Sequence, residues 1–337
     1  MQKKIYIHFL LLICMVTLIL NTDLAIQGAK EGVETCLYSV IPSLFPFFFL
    51  TGCLSNTVVI QHTPRQSRLL QLCGIPDGAS TLCLLCIISG YPVGAKILYQ
   101  QYTNGSLHKK TAHRLLGFMN LTSPAFIFGI VSRLLGNGKM ALIVWAIQLV
   151  SAAIVAIILP NKELCVFQPR INKNSSAVQI LENSLKSISL VCGWVVIFKI
   201  LTQIINYYFS KILPKSLLIF ISGILEITNG CFSLSNIDSL AWRFVLCNIF
   251  LSFGGLCVWM QIYSVVRDLG SGMFACGKIL QTAICGILAV LSQILLYPRA
   301  ISFYVSATAI TCCCIVILTI YLCIHRKNSR NANLAVV

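Results

Sequence analysis

One polar string interrupts an otherwise apolar stretch: Ser89-Gly90-Tyr91-Pro92-Val93-Gly94-Ala95-Lys96. Glycine permits a tight chain reversal, and proline suits the first turn of a new helix, whose exposed N–H groups attract anions. Lys96 would lie in the first turns of that helix and add a positive charge. The string therefore predicts a site for a small anion, unless Lys96 only reaches a lipid headgroup. The candidate ligands are Ser89, Gly90, Pro92, Gly94 and Lys96.

A second polar string, Asn120-Leu121-Thr122-Ser123-Pro124, lies in the next apolar stretch. Because proline lacks a backbone N–H, it leaves a helical carbonyl near Asn120 without its partner and predicts an unwound helix. Asn120, Thr122 and Ser123 would then offer hydrogen bonds to a bound molecule. Alternatively, these side chains only satisfy the backbone at the kink.

Glu226 is the carboxylate that lies deepest in an apolar segment, in the string Glu226-Ile227-Thr228-Asn229-Gly230. A carboxyl group at that depth can carry a proton when neutral or bind sodium when ionised, so Glu226 is the predicted ion-coupling residue. Its alternative role is an ion pair with Lys199, which lies in the middle of another apolar stretch. Asn229 and Asn248 are predicted to complete the polar lining on this side.

Other kinds of chemistry find little support in the sequence. The 17 cysteines lie mainly in apolar runs, and the Cys83/Cys86 pair lacks the second pair or histidine that a zinc site needs. The net charge of +16 would suit a nucleic acid, but the cations lie in short loops between apolar runs. We therefore expect no catalytic residue, no metal site, no nucleic-acid partner and no cofactor beyond a coupling proton or sodium ion.

The elements that would position these residues are membrane helices. Hydrophobic residues make up 57% of the 337 residues and charged residues only 10%, against roughly 25% charged residues in soluble domains. Two apolar segments, residues 79–100 and 215–235, are interrupted near their middle, which predicts re-entrant helical hairpins. Hydropathy thus predicts an all-α polytopic membrane protein with these two hairpins and about eight transmembrane helices, at residues 5–24, 35–55, 115–134, 139–159, 188–209, 242–264, 279–297 and 301–324.

The distribution of charge predicts the orientation of these helices. If both hairpins return to their own side, most of the 25 Lys and Arg residues, Arg114 and Lys278 among them, fall on one side. The positive-inside rule assigns that side, and with it both termini, to the cytoplasm. The first apolar stretch is expected to remain as an anchor because further spans follow at once, although small residues near Ala25 to Ala29 would suit signal-peptide cleavage.

The two halves of the chain share an order of predicted elements: span, hairpin, span, span. Ile88-Ser89-Gly90 recurs as Ile221-Ser222-Gly223, and three crossings per half would insert the second half upside down. This is the inverted-repeat architecture of many transporters. The predicted domains are an anchor helix at 1–27, a first repeat at 28–160, a cytoplasmic linker at 161–187, a second repeat at 188–297 and a C-terminal membrane helix with a basic tail at 298–337.

Four strings, SLFPFF, SGYPVGAK, NLTSPAFIFG and EITNG, occur in this order. With them the chain resembles the sporulation integral membrane protein YlbJ family, whose members carry two nucleoside-recognition Gate domains. The resemblance spans about residues 28–296 and implies two Gate-like repeats, similar to concentrative nucleoside transporters. It also implies movement of dipicolinic acid from the mother cell across the outer forespore membrane during endospore formation. The family motif falls on Ser89, Gly90, Pro92, Gly94, Lys96, Asn120, Ser123, Pro124, Glu226 and Asn229.

The expected function is therefore a secondary transporter for a small anionic metabolite, with the lipid bilayer and that anion as partners. Self-association into a homo-oligomer is left open. The alternatives are a nucleoside transporter and a non-transporting membrane scaffold or sensor that recruits sporulation partners.

Overall fold

The structure, a computed structural model, describes residues 12–13, 15–57, 68–160 and 176–296. Every regular element in these ranges is a helix, as the sequence predicts. In chain order, the helices are α1 (Thr22–Thr35), α2 (Ile41–Thr57), α3 (Arg68–Leu72), α4 (Ser80–Ser89), α5 (Val93–Thr103), α6 (Lys109–Met119), α7 (Pro124–Phe126), α8 (Ser132–Leu134), α9 (Gly138–Ile158), α10 (Ala177–Phe209), α11 (Lys215–Leu225), α12 (Ile227–Ser233), α13 (Leu240–Phe253), α14 (Gly255–Val266) and α15 (Gly272–Leu296).

Several of these elements join end to end into longer rods. A π-helical turn, Cys36–Val40, links α1 to α2, and a second, Ile127–Val131, links α7 to α8. Six rods in the described ranges are long and apolar enough to cross a membrane: Thr22–Leu54, Lys109–Leu134, Gly138–Ile158, Ala177–Phe209, Leu240–Leu269 and Gly272–Leu295. Six of the eight predicted spans coincide with them. Of the other two, the span at 301–324 lies wholly outside the described residues, as do residues 5–11 and residue 14 of the span at 5–24.

Besides the first rod, three rods begin several residues earlier in the chain than hydropathy predicts, at Lys109, Ala177 and Gly272. Charged, polar or small residues are interspersed there, such as Lys109, Glu182 and Gly272, so a hydropathy window misses these turns, whereas local hydrogen bonds still start the helix. Ser176, for example, forms a reciprocal capping box with Gln179. Residues 177–187 of the predicted linker are consequently helical.

Because two of these helices begin early, two cations that were predicted to lie on the cytoplasmic flank lie inside a helix instead. Arg114 and Lys278 lie inside α6 and α15, and only 2% and 1% of their surfaces are exposed. Arg114 donates hydrogen bonds to the carbonyl oxygens of Gly74 (3.0 Å), Cys73 (2.9 Å) and Pro160 (3.2 Å). Its guanidinium therefore joins the backbone after α3 to the backbone after α9 and has a structural role.

The segment between the first two predicted spans is also helical. Gly28 and Gly32 lie one turn apart on α1 and face α10, where a Cβ atom at Gly28 would approach Ile200 Cα to 2.8 Å. A Cβ atom at Gly32 would approach Val196 Cα to 2.9 Å. Small residues at this spacing let two helix backbones touch, which is how helices associate in lipid. The helix that contains Gly28 and Gly32 therefore extends the first rod back to Thr22, beyond the predicted span at 35–55.

Two hairpins of short helices stand where the sequence is interrupted. The first joins α4 and α5, of 10 and 11 residues, and the second joins α11 and α12, of 11 and 7 residues. At 1.5 Å per residue, none of these helices is longer than about 17 Å, roughly half of the hydrocarbon thickness. Each hairpin is thus a pair of half-helices.

The order of elements recurs in the two halves of the described chain. Each half has a rod of 33 residues, then a hairpin, then a broken rod of 26 or 30 residues, then a straight rod of 21 or 24 residues. The broken rods are α6–α8, interrupted at residues 120–123, and α13–α14, interrupted at Gly254. The predicted order of span, hairpin, span and span therefore holds for the helices themselves.

The straight rod α15 packs at the centre of the bundle against α6, α9 and α13. Gly277 on α15 meets Gly117 on α6 so closely that a Cβ atom at Gly277 would overlap the Gly117 carbonyl oxygen. This backbone contact fixes the position of α15, from the second half, along α6, from the first half.

Candidate functional site

The tip of the first hairpin contacts the unwound part of the following rod. Gly90 ends α4 with φ 70° and ψ −176°, a conformation open almost only to glycine. The Tyr91 N–H then donates to the Leu121 carbonyl oxygen at 2.8 Å, and the Tyr91 hydroxyl lies 2.9 Å from Thr122 Oγ1. The unwound residues predicted from Pro124 therefore pair with the hairpin tip.

The same junction reaches the second half of the chain. Thr122 Oγ1 donates to the Leu251 carbonyl oxygen at 3.1 Å, close to the end of α13. There Gly254 and Gly255 both have positive φ, 83° and 70°, and a Cβ atom at Gly255 would lie 3.1 Å from the Ile227 nitrogen at the tip of the second hairpin. The four helix breaks therefore meet at one place.

Glu226 is the break of the second hairpin. Its side chain is buried, at 2% exposure, and accepts hydrogen bonds from the N–H groups of Thr228 (2.9 Å) and Asn229 (2.7 Å) at the start of α12. A carboxylate in this position caps the helix and is favoured by the positive end of its dipole. This is how an acidic side chain is accommodated at the centre of the bundle.

The alternative pairing of Glu226 with Lys199 does not form. Lys199 Nζ lies 3.6 Å from Glu31 Oε2 and also donates to Asn229 Oδ1. Asn229 therefore stands between the two groups, with its N–H bonded to Glu226 and its side-chain oxygen bonded to Lys199. The carboxyl group of Glu226 therefore makes no ion pair with Lys199.

A small cavity of about 60 Å³ lies at the junction. This is room for a few water molecules. Of the predicted site residues, Pro92, Thr122, Ser123 and Glu226 line it. Its other lining residues are Ser39, Val40, Ser43, Leu44, Tyr91, Phe126, Ile130, Val191, Val195, Ile227, Thr228, Val258 and Gln261.

The remaining predicted residues surround the junction without lining this cavity. A Cβ atom at Gly90 would lie 2.5 Å from the Ser123 nitrogen, and one at Gly94 would lie 3.3 Å from Asn120 Oδ1. Asn120 and Asn248 are fully buried, and each donates to the carbonyl oxygen four residues earlier in its own helix, at 3.0 and 2.9 Å. Ser89 is buried beside the tip at 1% exposure.

Lys96 lies away from the cavity, on the side of α5 that faces α10. Its ammonium donates to Ser187 Oγ at 2.6 Å and to the Asn183 carbonyl oxygen at 3.2 Å, and it lies 5.4 Å from the centre of the Phe48 ring. These contacts link the first hairpin to neighbouring rods. A role for Lys96 as an anion ligand stays a prediction, and these contacts would have to open for it.

The structure adds a buried cation that the charge count had assigned to a loop. Lys278 Nζ lies 5.5 Å from the centre of the Tyr91 ring and donates to Gln281 Oε1 at 3.0 Å. Gln281 in turn approaches Ser151 Oγ at 3.5 Å on α9. The polar residues Lys278 and Gln281, three positions apart in an apolar run, are the sequence signal that could have revealed this buried group.

No metal-binding cluster stands out in the part of the chain that the structure describes: there, no three His, Cys, Asp or Glu side chains lie close enough together to hold an ion. The junction instead offers hydroxyl groups, backbone groups and one carboxyl group. Such a lining suits a small polar molecule or a light cation rather than a transition metal.

The outer surface of the bundle is apolar. Leu190 and Ile197 on α10 are 54% and 55% exposed, and Leu295 on α15 is 81% exposed. Large apolar side chains exposed in this number, on rods long enough to span hydrocarbon, are what lipid-facing helices present. The chain is an integral membrane protein.

Comparison with known proteins agrees with this assignment. The chain is 22% identical over 297 residues to the sporulation integral membrane protein YlbJ of Bacillus subtilis (strain 168), covering 75% of this chain and 73% of that protein. This similarity agrees with the assignment of the chain as an integral membrane protein. No family model and no solved structure matches the chain.

Proposed function

We propose that this integral membrane protein is a secondary transporter for a small anionic metabolite, with dipicolinic acid during endospore formation as the first candidate. The observation that carries the proposal is the junction where two hairpin tips and two unwound rods meet around a cavity containing Glu226. Broken helices that meet in the interior of a membrane protein are typical of transporter binding sites, because irregular backbone there needs a cavity or protein partners.

The proposed architecture has eight transmembrane helices, two re-entrant hairpins and two repeats of opposite orientation, with both termini in the cytoplasm. Its support is the recurring order of rods and hairpins, with paired lengths of 33 and 33, 26 and 30, and 21 and 24 residues. Two such halves can rock against each other around a shared site, which gives access alternately from each side.

Glu226 provides the proposed coupling to an ion. An anion entering the cavity would be repelled by an ionised Glu226, so binding of the anion favours the protonated carboxyl group. Anion and proton would then move together. If the substrate were uncharged, an ionised Glu226 would instead suit a sodium ion.

The small size of the cavity supports a transport cycle in which the protein also adopts a more open conformation than the described one. About 60 Å³ holds a few water molecules, whereas a pyridine ring with two carboxylates has about a dozen non-hydrogen atoms. The described arrangement therefore corresponds to a closed form, and the hairpin tips must separate from Thr122 and Gly255 to admit a substrate.

The test is uptake of radiolabelled dipicolinate by proteoliposomes that contain the purified protein, with uridine as the neutral comparison substrate. We expect dipicolinate uptake above that of protein-free liposomes and faster with a proton gradient directed inward. Glu226→Gln keeps the size of the side chain but cannot ionise or carry a proton, so the effect of the proton gradient should disappear.

Control measurements separate the alternatives. The size-exclusion profile of Glu226→Gln must match that of the unaltered protein, so that loss of uptake reports the lost ionisable group. Its melting temperature should fall only slightly, because the amide oxygen accepts from one of the two N–H groups that Glu226 binds. Uptake of uridine alone would favour a nucleoside transporter. Uptake of neither compound from a well-folded preparation would contradict the dipicolinate proposal and favour a scaffold or sensor.

A further inference from the structure

A second pocket, of about 310 Å³, lies on the other side of the second hairpin, between α1, α10 and α12. It is roughly five times larger than the cavity at the junction. Amide and hydroxyl groups dominate its lining, together with one cation and one carboxylate. Its polar residues include Glu31, Lys199, Gln203, Asn206, Asn229 and Asn236.

The ion pair in this pocket is weak, although Lys199 also donates to Asn229 Oδ1. Lys199 Nζ lies 3.6 Å from Glu31 Oε2, which is longer than a charge-assisted hydrogen bond, and the side chain of Glu31 is 41% exposed. Glu31 Oε1 also accepts a hydrogen bond from Gln27 Nε2 at 3.3 Å. A carboxylate this exposed gives up an ion pair at little cost.

Asn229 provides the second observation. Only 6% of the residue is exposed, and its side-chain nitrogen has no hydrogen-bond partner among the described residues, while its oxygen accepts from Lys199. A buried N–H donor without an acceptor costs stability, so an acceptor atom from outside the chain would be bound there. The free donor and the loosely paired ammonium of Lys199 lie side by side.

We propose that this pocket is a second binding subsite for the carboxylate of a small organic anion, and that Glu31 occupies the place of that carboxylate while the pocket is empty. The incoming carboxylate accepts from Lys199 Nζ and Asn229 Nδ2, and Glu31 turns towards solvent and Gln27. No covalent bond changes in this exchange.

The subsite deepens the transporter proposal and rests on it for its biological meaning. Asn229 belongs to both sites, because its backbone N–H donates to Glu226 at 2.7 Å and its side chain faces the pocket. Asn229 would therefore stand between a substrate in the pocket and the coupling carboxyl group of Glu226. The pocket would serve as the vestibule from which the substrate enters the junction or into which it leaves.

The test is equilibrium binding of dipicolinate to the purified protein in detergent at low ionic strength, with uridine as the uncharged comparison. Glu31→Gln removes the competing carboxylate, so dipicolinate should bind about two- to five-fold more tightly, as expected for a partly exposed ion pair. Glu34→Gln, an exposed carboxylate one turn further along α1, is the matched control and should leave binding unchanged. Uridine binding should not respond to Glu31→Gln.

Lys199 is tested in the same assay. Lys199→Met should weaken dipicolinate binding by at least about tenfold, because a charged hydrogen-bond donor is lost. Lys199→Arg should retain binding to within a few-fold, and melting temperatures of both variants report whether they fold.

Binding that is equal in Glu31→Gln and the unaltered protein, or that survives in folded Lys199→Met, would overturn the subsite. The same conclusion follows if the unaltered protein binds no dipicolinate. Binding that is lost in Glu226→Gln but kept in Lys199→Met would assign the anion to the junction alone. The transporter proposal is judged separately by uptake, so transport without these binding effects would contradict only the subsite.

Discussion

Substitution of Gly90 by alanine tests whether the first hairpin tip has the described geometry. Gly90 has φ 70° and ψ −176°, and a Cβ atom there would lie 2.5 Å from the Ser123 nitrogen and 2.7 Å from Ser123 Cα. Real Cβ atoms do not approach backbone this closely. The methyl group must therefore push the tip away from the unwound rod.

The expected cost follows from two contributions. A non-glycine residue in this backbone region is strained by about 1–3 kcal/mol. Displacement of the tip also weakens the bond from the Tyr91 N–H to the Leu121 oxygen, now 2.8 Å long, which is a net loss of about 1 kcal/mol. Gly90→Ala should therefore destabilise the fold by about 2–4 kcal/mol and abolish most of the proposed uptake.

The assay is thermal unfolding in detergent, followed by a dye that becomes fluorescent on reaction with newly exposed thiols. Cys86, one turn before the tip, is fully buried and would report the loss of packing. Gly193→Ala on α10 is the matched control, because a Cβ atom there has no neighbour within 4 Å and alanine favours a helix. Gly90→Ala should melt at least about 5 °C below Gly193→Ala. Equal melting temperatures would refute the tip geometry.

Three further substitutions test other parts of the bundle. Lys278→Met largely preserves the length of the buried side chain but removes the ammonium over Tyr91. We expect a folded protein with at least about tenfold slower uptake, and unchanged uptake would exclude a functional role for the charge. Gly277→Ala should reduce the yield of monodisperse protein in size exclusion because the new methyl group collides with α6, whereas Gly272→Ala, with no atom within 4 Å of its Cβ position, should not. Arg114→Lys replaces a planar fork of five N–H donors by a single ammonium that reaches fewer of the carbonyl oxygens around it, so the melting temperature should fall by several degrees; an unchanged value would show that the planar guanidinium is dispensable.

Much of the candidate site was predictable because its signals are local. Gly90, Pro124 and Glu226 each disturb a helix through their own chemistry: backbone freedom, a missing N–H and a charged group in apolar surroundings. The helix breaks lie at these positions. The predicted ligands Pro92, Thr122, Ser123 and Glu226 consequently line one cavity.

The positions of the cations were less predictable, because they depend on where helices begin. Hydropathy placed Lys278 in a flank, but small residues before it extend α15 to Gly272 and bury the ammonium against Tyr91. Lys96 was expected beside the anion site, yet its long side chain reaches Ser187 on another rod. The hydrogen-bond partner of a long, flexible side chain depends on tertiary packing, which the order of residues along the chain does not reveal.

The sequence by itself determined that this is a membrane protein and that its helices break near Gly90, before Pro124 and at Glu226. Each of these predictions follows from the chemistry of neighbouring residues. Only the tertiary structure decided that the four breaks meet and that Lys199 pairs with Glu31 and Asn229 rather than with Glu226. It also showed that a larger polar pocket lies behind the second hairpin. The physical reason is that these contacts join residues far apart in the chain, and backbone approaches at Gly28, Gly117 and Gly277 set which rods touch.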